Sequence, residues 1–171
     1  MNKYTDYNEE YAQCYELITQ HKHYAEEVES LSEVIGKFNS DKKILSVGCG
    51  TGIHERYLAK LGFKVFGIDK SEWMINCAVM NSPDLPNLSF GRTFDEARSY
   101  LGSPFTCVIS LFNVINCLPD LRSLREFFEE IDHSIRKFQM KTGADNLYIT
   151  MLLGALINDY RVKAPEWEDF K

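Results

Sequence analysis

The stretch Ile44-Leu45-Ser46-Val47-Gly48-Cys49-Gly50-Thr51-Gly52 decides how this 171-residue chain is read. Ile44 to Val47 is a short apolar run closed by Gly48, the pattern of a buried strand. Residues 51–61 then carry Ile53, Tyr57, Leu58 and Leu61 at helical spacing, and these are expected to face inward. Gly62 stands where a helix needs a residue with positive φ just past its end. A strand running into a glycine turn that opens a helix is the setting in which a nucleotide is held. Glycines there allow positive φ and close approach of a ligand to the backbone. The N–H groups of the helix start favour an anion. The next strand, Lys64-Val65-Phe66-Gly67-Ile68, is followed at once by Asp69, 21 residues after Gly48. A carboxylate at that place can accept both hydroxyls of a ribose.

The spacing narrows the ligand. A dinucleotide loop, G-x-G-x-x-G, needs glycine at 53 or at 55, where Ile53 and Glu55 stand. No G-K-[ST] follows, so a P-loop is excluded. G-x-G-x-G suits a nucleoside without phosphates better. The plainer alternative is a tight strand–helix turn that binds nothing.

Outward from this segment, strands and helices alternate. Ser71 is placed to cap a helix running to about Met80, with Glu72 in its first turn. Asn87-Leu88-Ser89-Phe90 reads as a third strand, 95–100 as a short helix and 105–111 as a fourth strand. Asp120 caps a long amphipathic helix with Leu121, Leu124, Phe127, Phe128, Ile131, Ile135 and Phe138 on one side. Residues 146–153 read as a fifth strand. Before the first strand, Tyr4, Tyr7, Tyr11 and Tyr15 recur at spacings of three and four, one face of a helix. Tyr24, Val28, Leu31, Val34 and Ile35 mark a second helix. Alternating strands and helices mean a parallel sheet with right-handed crossovers, and ligands bind such sheets at the carboxyl ends of the strands. The expected fold is therefore α/β, a doubly wound parallel sheet with its switch point at the first strand, preceded by N-terminal helices.

Composition sets the outer limits. A net charge of −6 argues against nucleic acid, because neutralising phosphates needs a basic surface. No apolar run is long enough to span a membrane, and the first residues lack the apolar core of a signal peptide. Five cysteines without a C-x-x-C pair fit reduced thiols in a cytoplasmic protein better than disulfides or zinc, and no metal is expected.

Three segments together resemble the class I S-adenosylmethionine-dependent methyltransferases. They are Ile44–Gly52, Gly67-Ile68-Asp69-Lys70-Ser71-Glu72-Trp73-Met74-Ile75 and Val108-Ile109-Ser110-Leu111-Phe112-Asn113-Val114-Ile115-Asn116. The segment Tyr15-Glu16-Leu17-Ile18 with Lys22-His23-Tyr24 is similar to one in the small-molecule methyltransferases that act on amino groups of sugars or amino acids. The resemblance implies a Rossmann-like sheet of order 3-2-1-4-5, with S-adenosylmethionine as cofactor and S-adenosylhomocysteine as product. It implies that Gly48, Cys49, Gly50 and Gly52 hold the methionine part and that Asp69 binds the ribose. It implies further that Lys70 and Met74 flank the adenine and that Leu111 and Phe112 floor the pocket beside the methyl group. Tyr15 would lie over the cofactor. Thr19 stands where that subfamily often has a second aromatic.

Two departures from the family pattern matter. The acid that reads the adenine amino group usually follows the third strand directly; here Asp95 is the candidate, one residue out of register, and a role in the first turn of a helix serves it equally well. The antiparallel hairpin that closes the family's sheet has no room in the eighteen residues after Leu153. The chain thus divides into a helical cap over the cofactor site, 1–38, and a cofactor-binding core, 39–171, cut short at its C-terminal end. The exposed edge of the fifth strand calls for a truncated gene product, a split enzyme with a partner chain, or a homodimer that covers it.

The expected reaction is in-line methyl transfer to a nitrogen or oxygen of a small molecule. The rival is a non-catalytic cofactor-binding module or a fragment that needs a partner. A dinucleotide oxidoreductase is the weaker third, for want of its third glycine. His21, His23, Tyr15, Tyr24 and Asn116 are candidates for a base, and none is assigned. His54 either lines the site or serves structure, His133 belongs to a helix surface, and Cys49 fills the loop.

Overall fold

The computed structural model describes residues 7–38, 41–102, 105, 107–111 and 114–142. The fifth strand expected over 146–153, the segment after it and Phe112 lie outside the described residues. Four strands, β1 (Lys43–Val47), β2 (Lys64–Ile68), β3 (Leu88–Gly91) and β4 (Val108–Ile109), pair in parallel in the order β3-β2-β1-β4. Parallel neighbours need crossovers, and helices α3 (Ile53–Lys60), α4 (Glu72–Met80) and α5 (Phe94–Leu101) supply them. Pairing runs outward from β1 through β2 to β3, then resumes on the other side of β1 with β4. That reversal opens a crevice at the carboxyl end of β1, where the glycine loop stands.

Alternation along the strands makes the sheet two-faced. Ile44, Val65, Cys107 and Ile109 enter one core with Val28, Leu31 and Ile35 of α2 (Tyr24–Phe38) and Leu58 and Ala59 of α3. Leu45, Val47, Phe66, Ile68 and Val108 enter the other with Ala97 and Leu101 of α5 and Ile131 of α6 (Leu121–Thr142). Each fully buried valine, leucine, isoleucine or phenylalanine among them stabilises the fold by about 1.5–3 kcal/mol relative to exposure. Both faces are covered, which is the doubly wound arrangement.

Local signals act where expected. Ser71 Oγ caps α4 by accepting from the N–H of Met74 at 3.3 Å. Asp120 accepts from Ser123 N–H at 2.8 Å at the start of α6. Gly62 takes φ +87° after α3. Thr93 and Glu96 form a reciprocal capping box on α5.

Four expectations need correction. Helix α1 spans Glu9–Ile18, because Asn8 caps it by accepting from Tyr11 N–H at 2.9 Å. Tyr7 therefore precedes the helix, although its ring still stacks on Tyr11 at 5.3 Å, as Tyr11 does on Tyr15 at 5.8 Å. In α3 the inward face is Ile53, Glu55, Leu58 and Ala59, while Tyr57 and Leu61 are exposed. Tyr57 lies nearly opposite Glu55, two residues on at 3.6 residues per turn, and Leu61 is the C-cap beyond the last helical residue, Lys60. Leu121 is 82% exposed, since it occupies the first turn of α6 before the helix reaches the core at Phe127 and Ile131. Ladder pairing in β4 covers only Val108–Ile109 of the expected 105–111, although Phe105 and Cys107 are buried. Among the described residues no helix is long and apolar enough to cross a membrane.

Candidate functional site

The glycine loop is held by its own backbone. Gly48, Gly50 and Gly52 all take positive φ (76°, 56° and 76°). The N–H groups of Gly48 and Cys49 both donate to the Ile68 carbonyl, at 2.8 and 3.0 Å, and Gly52 N–H donates to the Cys49 carbonyl at 3.1 Å. Gly50 N–H donates to Asp69 Oδ2 at 2.9 Å. These four donors are engaged inside the protein, so they form no cradle for a diphosphate. A Cβ on Gly48 would lie 2.4 Å from Val114 Cγ2, and one on Gly52 would lie 2.5 Å from Phe90 Cζ. Gly50 differs. A Cβ there would meet only Tyr15, at 3.9 Å, so this glycine faces open room beneath the tyrosine ring.

Asp69 closes β2 against the loop. Its Oδ2 takes the Gly50 N–H and its Oδ1 takes the Ser71 N–H, each at 2.9 Å. Burial raises the carboxyl above its ordinary range, and the bonds from Ser71, Gly50 and Lys70 N–H pull against that. A carboxylate has roughly four acceptor positions. The Gly50 and Ser71 bonds leave acceptor capacity for a further pair of hydroxyls.

Beneath the loop lies a buried polar group that alternation explains. Ser46 shares the sheet face of Ile44 and points at α3, where Glu55 is 1% exposed. Ser46 Oγ donates to Glu55 Oε1 at 2.6 Å. Among the described residues Glu55 Oε2, Thr51 Oγ1 and Ser110 Oγ are buried without a hydrogen-bond partner. Burial raises the Glu55 carboxyl. Burial also pushes the Cys49 thiol well up, with Glu55 and Asp69 adding to it, so Cys49 packs the loop and is not a thiolate nucleophile.

Helices α1 and α2 roof the loop. Tyr15, Tyr24, His54 and Leu111 enclose a pocket of about 30 Å³ above Gly48–Thr51 and Glu55. Tyr24 meets the His54 ring edge-on at 4.9 Å. His54 Nε2 lies 2.9 Å from Glu27 Oε2. That bond, joined by Lys22, holds the Glu27 carboxyl down at about 2. Arg56 ties roof to loop. Its Nη1 donates to the Thr51 carbonyl at 2.9 Å, and its Nη2 donates to both Glu16 oxygens at 2.9 and 3.0 Å. Asn81 of the α4 end donates to the same Glu16 at 2.9 Å.

The structure thus gathers Tyr15, Gly48, Cys49, Gly50 and Leu111 around one pocket, with Gly52 and Asp69 bracing the loop beside it. Met74 is 2% exposed and packs with Ala12 and Cys77 below the tyrosine row. Lys70 is exposed next to Asp69, and its carbonyl accepts from Arg92 Nη2 at 3.1 Å. Asp95 is exposed in the first turn of α5 and ion-paired with Arg98, the helix-start role open to it from sequence. His21 and His23 are exposed. Sequence reasoning missed Glu55, Ser46 and Thr51. The signal available was the i, i+3, i+4 spacing of Glu55 with Leu58 and Ala59. Among the described residues no group of histidine, cysteine and carboxylate side chains is arranged to hold a metal.

Residues 17–142 match the family described as a methyltransferase domain. The chain is 31% identical over 147 residues to the dTDP-3-amino-3,6-dideoxy-alpha-D-glucopyranose N,N-dimethyltransferase of Streptomyces fradiae, covering 84% of this chain and 53% of that one. Among solved structures it is similar to DesVI of Streptomyces venezuelae, with 27% identity, a TM-score of 0.53, and 66% of this chain and 48% of that one covered. It is equally similar to SAM-bound CalS10, an amino pentose methyltransferase of Micromonospora echinaspora, with 27% identity, a TM-score of 0.53, and 72% and 50% covered. The chain spans about half the length of each of these three relatives.

Proposed function

The chain belongs to the methyltransferase domain family, and from that premise we propose that its crevice binds S-adenosylmethionine and passes a methyl group to a small-molecule nitrogen or oxygen. The observation that carries the reading is the loop itself. Its engaged N–H groups disfavour a diphosphate, while Gly50 leaves room beneath Tyr15 and Asp69 keeps acceptor capacity at the end of β2. These features fit a nucleoside with a polar tail.

In this reading Gly48–Gly52 receive the methionine part and Asp69 accepts the ribose hydroxyls. Lys70 and Met74 border the adenine, and Leu111 floors the reacting end. Asp95 stays with Arg98 and takes no adenine contact. Residues 1–38 act as a cap, with Tyr15 as the contact over the loop. The bound cofactor supplies an electrophilic methyl on a sulfonium, which an aligned nucleophile displaces. The task of these residues is to hold that alignment and keep water out. Such positioning supplies about 7–11 kcal/mol of a barrier. Nitrogen is favoured as acceptor because the Streptomyces fradiae relative is named for N,N-dimethylation of an amino sugar.

Calorimetry with S-adenosylmethionine and S-adenosylhomocysteine tests the reading. Micromolar binding by the whole chain, at least about tenfold weaker in Asp69→Ala, is the expected result. Absence of binding by folded protein overturns it. Binding without methylation of any member of an amine and hydroxyl panel would favour a cofactor-binding module instead.

A further inference from the structure

Strand order fixes where a nucleoside would put its base. With the cofactor's tail at the glycine loop after β1 and its ribose on Asp69 after β2, the base extends toward the end of β3, the next strand out. That end is joined to Asp69 directly, the Asp69 N–H donating to the Gly91 carbonyl at 3.3 Å. The family pattern sets an acid just after the third strand to take the amino group of adenine. In this chain Arg92 is the residue that leaves β3.

The acids around Arg92 are committed elsewhere. Glu96 turns back on the chain, and its Oε2 accepts the N–H groups of Arg92 and Thr93 and the Thr93 hydroxyl, each at 2.8 Å. Asp95 is paired with Arg98. Glu72 pairs with Arg92 itself, 3.9 Å from its Nη1. The Lys70 carbonyl accepts from Arg92 Nη2 at 3.1 Å, so the guanidinium is laid across the backbone that leaves β2, one residue past Asp69. The side chain is still 55% exposed there and open to a ligand. A guanidinium carries five N–H donors and no acceptor. It matches the ring nitrogens and a 6-oxo group of a purine, as arginine does with N7 and O6 of guanine, and a 6-amino group offers it nothing. We propose that Arg92 is the base-reading residue of this crevice and meets the base with donors, so that the chain does not select its ligand by the 6-amino group. The assignment rests on the reading of the crevice as an S-adenosylmethionine site.

Calorimetry on the whole chain would compare S-adenosylhomocysteine with S-inosylhomocysteine, which carries a 6-oxo group in place of the 6-amino group. The two wild-type affinities are expected to lie within about fivefold of each other. Arg92→Asp puts an acid where the family pattern has one and should open a preference of about tenfold or more for the adenosine form. A wild-type preference for the adenosine form beyond about fivefold overturns the assignment, and so does a ratio that Arg92→Asp leaves unchanged. If circular dichroism shows Arg92→Asp unfolded, Arg92→Ala takes its place. It should weaken the inosine form more than the adenosine form, and equal loss or no loss on both overturns the idea. A merely structural role lowers both affinities together, so the ratio isolates contact with the base. A wild-type chain that binds neither ligand defeats the cofactor reading itself. Normal binding without the change in ratio defeats only the role of Arg92.

Discussion

The glycine loop and the N-terminal roof meet at one pocket, yet they are held by different forces. Around Gly48–Gly52 the backbone is locked by short bonds to Ile68, Cys49 and Asp69, and side chains of Val114 and Phe90 fill the space a Cβ would need. The roof of α1 and α2 hangs on side chains. Arg56 holds Glu16, Glu27 holds His54, and the tyrosine row leans on α4. A steric lock tolerates almost no substitution. A set of partly exposed ion pairs tolerates many, each worth little and each sensitive to salt or pH.

The sharpest way to break this contrast is at Gly52. Gly52→Ala adds a left-handed backbone penalty to a collision with Phe90 and should cost about 2–5 kcal/mol, measured by urea unfolding. A cost below about 1 kcal/mol would show the loop to be as forgiving as the roof. Arg56→Ala should cost about 1–2 kcal/mol, since it frees Glu16 and the Thr51 carbonyl together. Amide exchange should then accelerate over Glu9–Ile18 and stay slow in β1; equal acceleration in both would mean that roof and loop open as one unit. Ser71→Ala should cost about 1 kcal/mol, because Ser71 Oγ both caps α4 and donates to the Tyr7 carbonyl at 2.7 Å.

The smallest effect is electrostatic. Glu27 is held at about 2 in the folded chain against 4.5 unfolded, so its stabilising pairing is complete above about pH 4.5 and is lost as pH falls toward 2. Exchange in α2 should rise over that window, and Glu27→Gln should flatten the rise. The side chain is 44% exposed, so the change is small. An acid limb identical in wild type and Glu27→Gln would remove Glu27 from the account.

What could be read in advance was local. The run Ile44–Val47, the three alternate glycines, the Ser71 and Asp120 caps and Gly62 each act within a few residues, and each stands where its chemistry required. The same logic erred at Tyr57, Leu61 and Leu121. A helical period gives a face but not its phase, and in α3 the buried face is centred on Glu55, Leu58 and Ala59, with Leu61 already at the C-cap. Tyr15, Gly48, Cys49, Gly50 and Leu111 line one pocket and Asp69 braces its loop; strand ends and glycine turns announce the loop and Asp69, whereas Tyr15 and Leu111 rested on the family resemblance. Ser46 and Glu55 were not legible. A serine in an apolar run and a glutamate in a first helical turn have ordinary surface explanations until the sheet face brings them to 2.6 Å.

By itself the sequence determined the parallel α/β layout and the strand–glycine turn–helix at its first crossover; the order of the described strands followed from the family resemblance. Hydrophobic period, turn residues and capping are short-range physics written in consecutive residues. Only the tertiary structure decided that Glu16 meets Arg56 across 40 residues and Asn81 across 65. It also decided that the loop spends its N–H groups inward and that a buried carboxyl waits beneath it. Those contacts depend on where crossovers place distant side chains, which neither period nor propensity encodes.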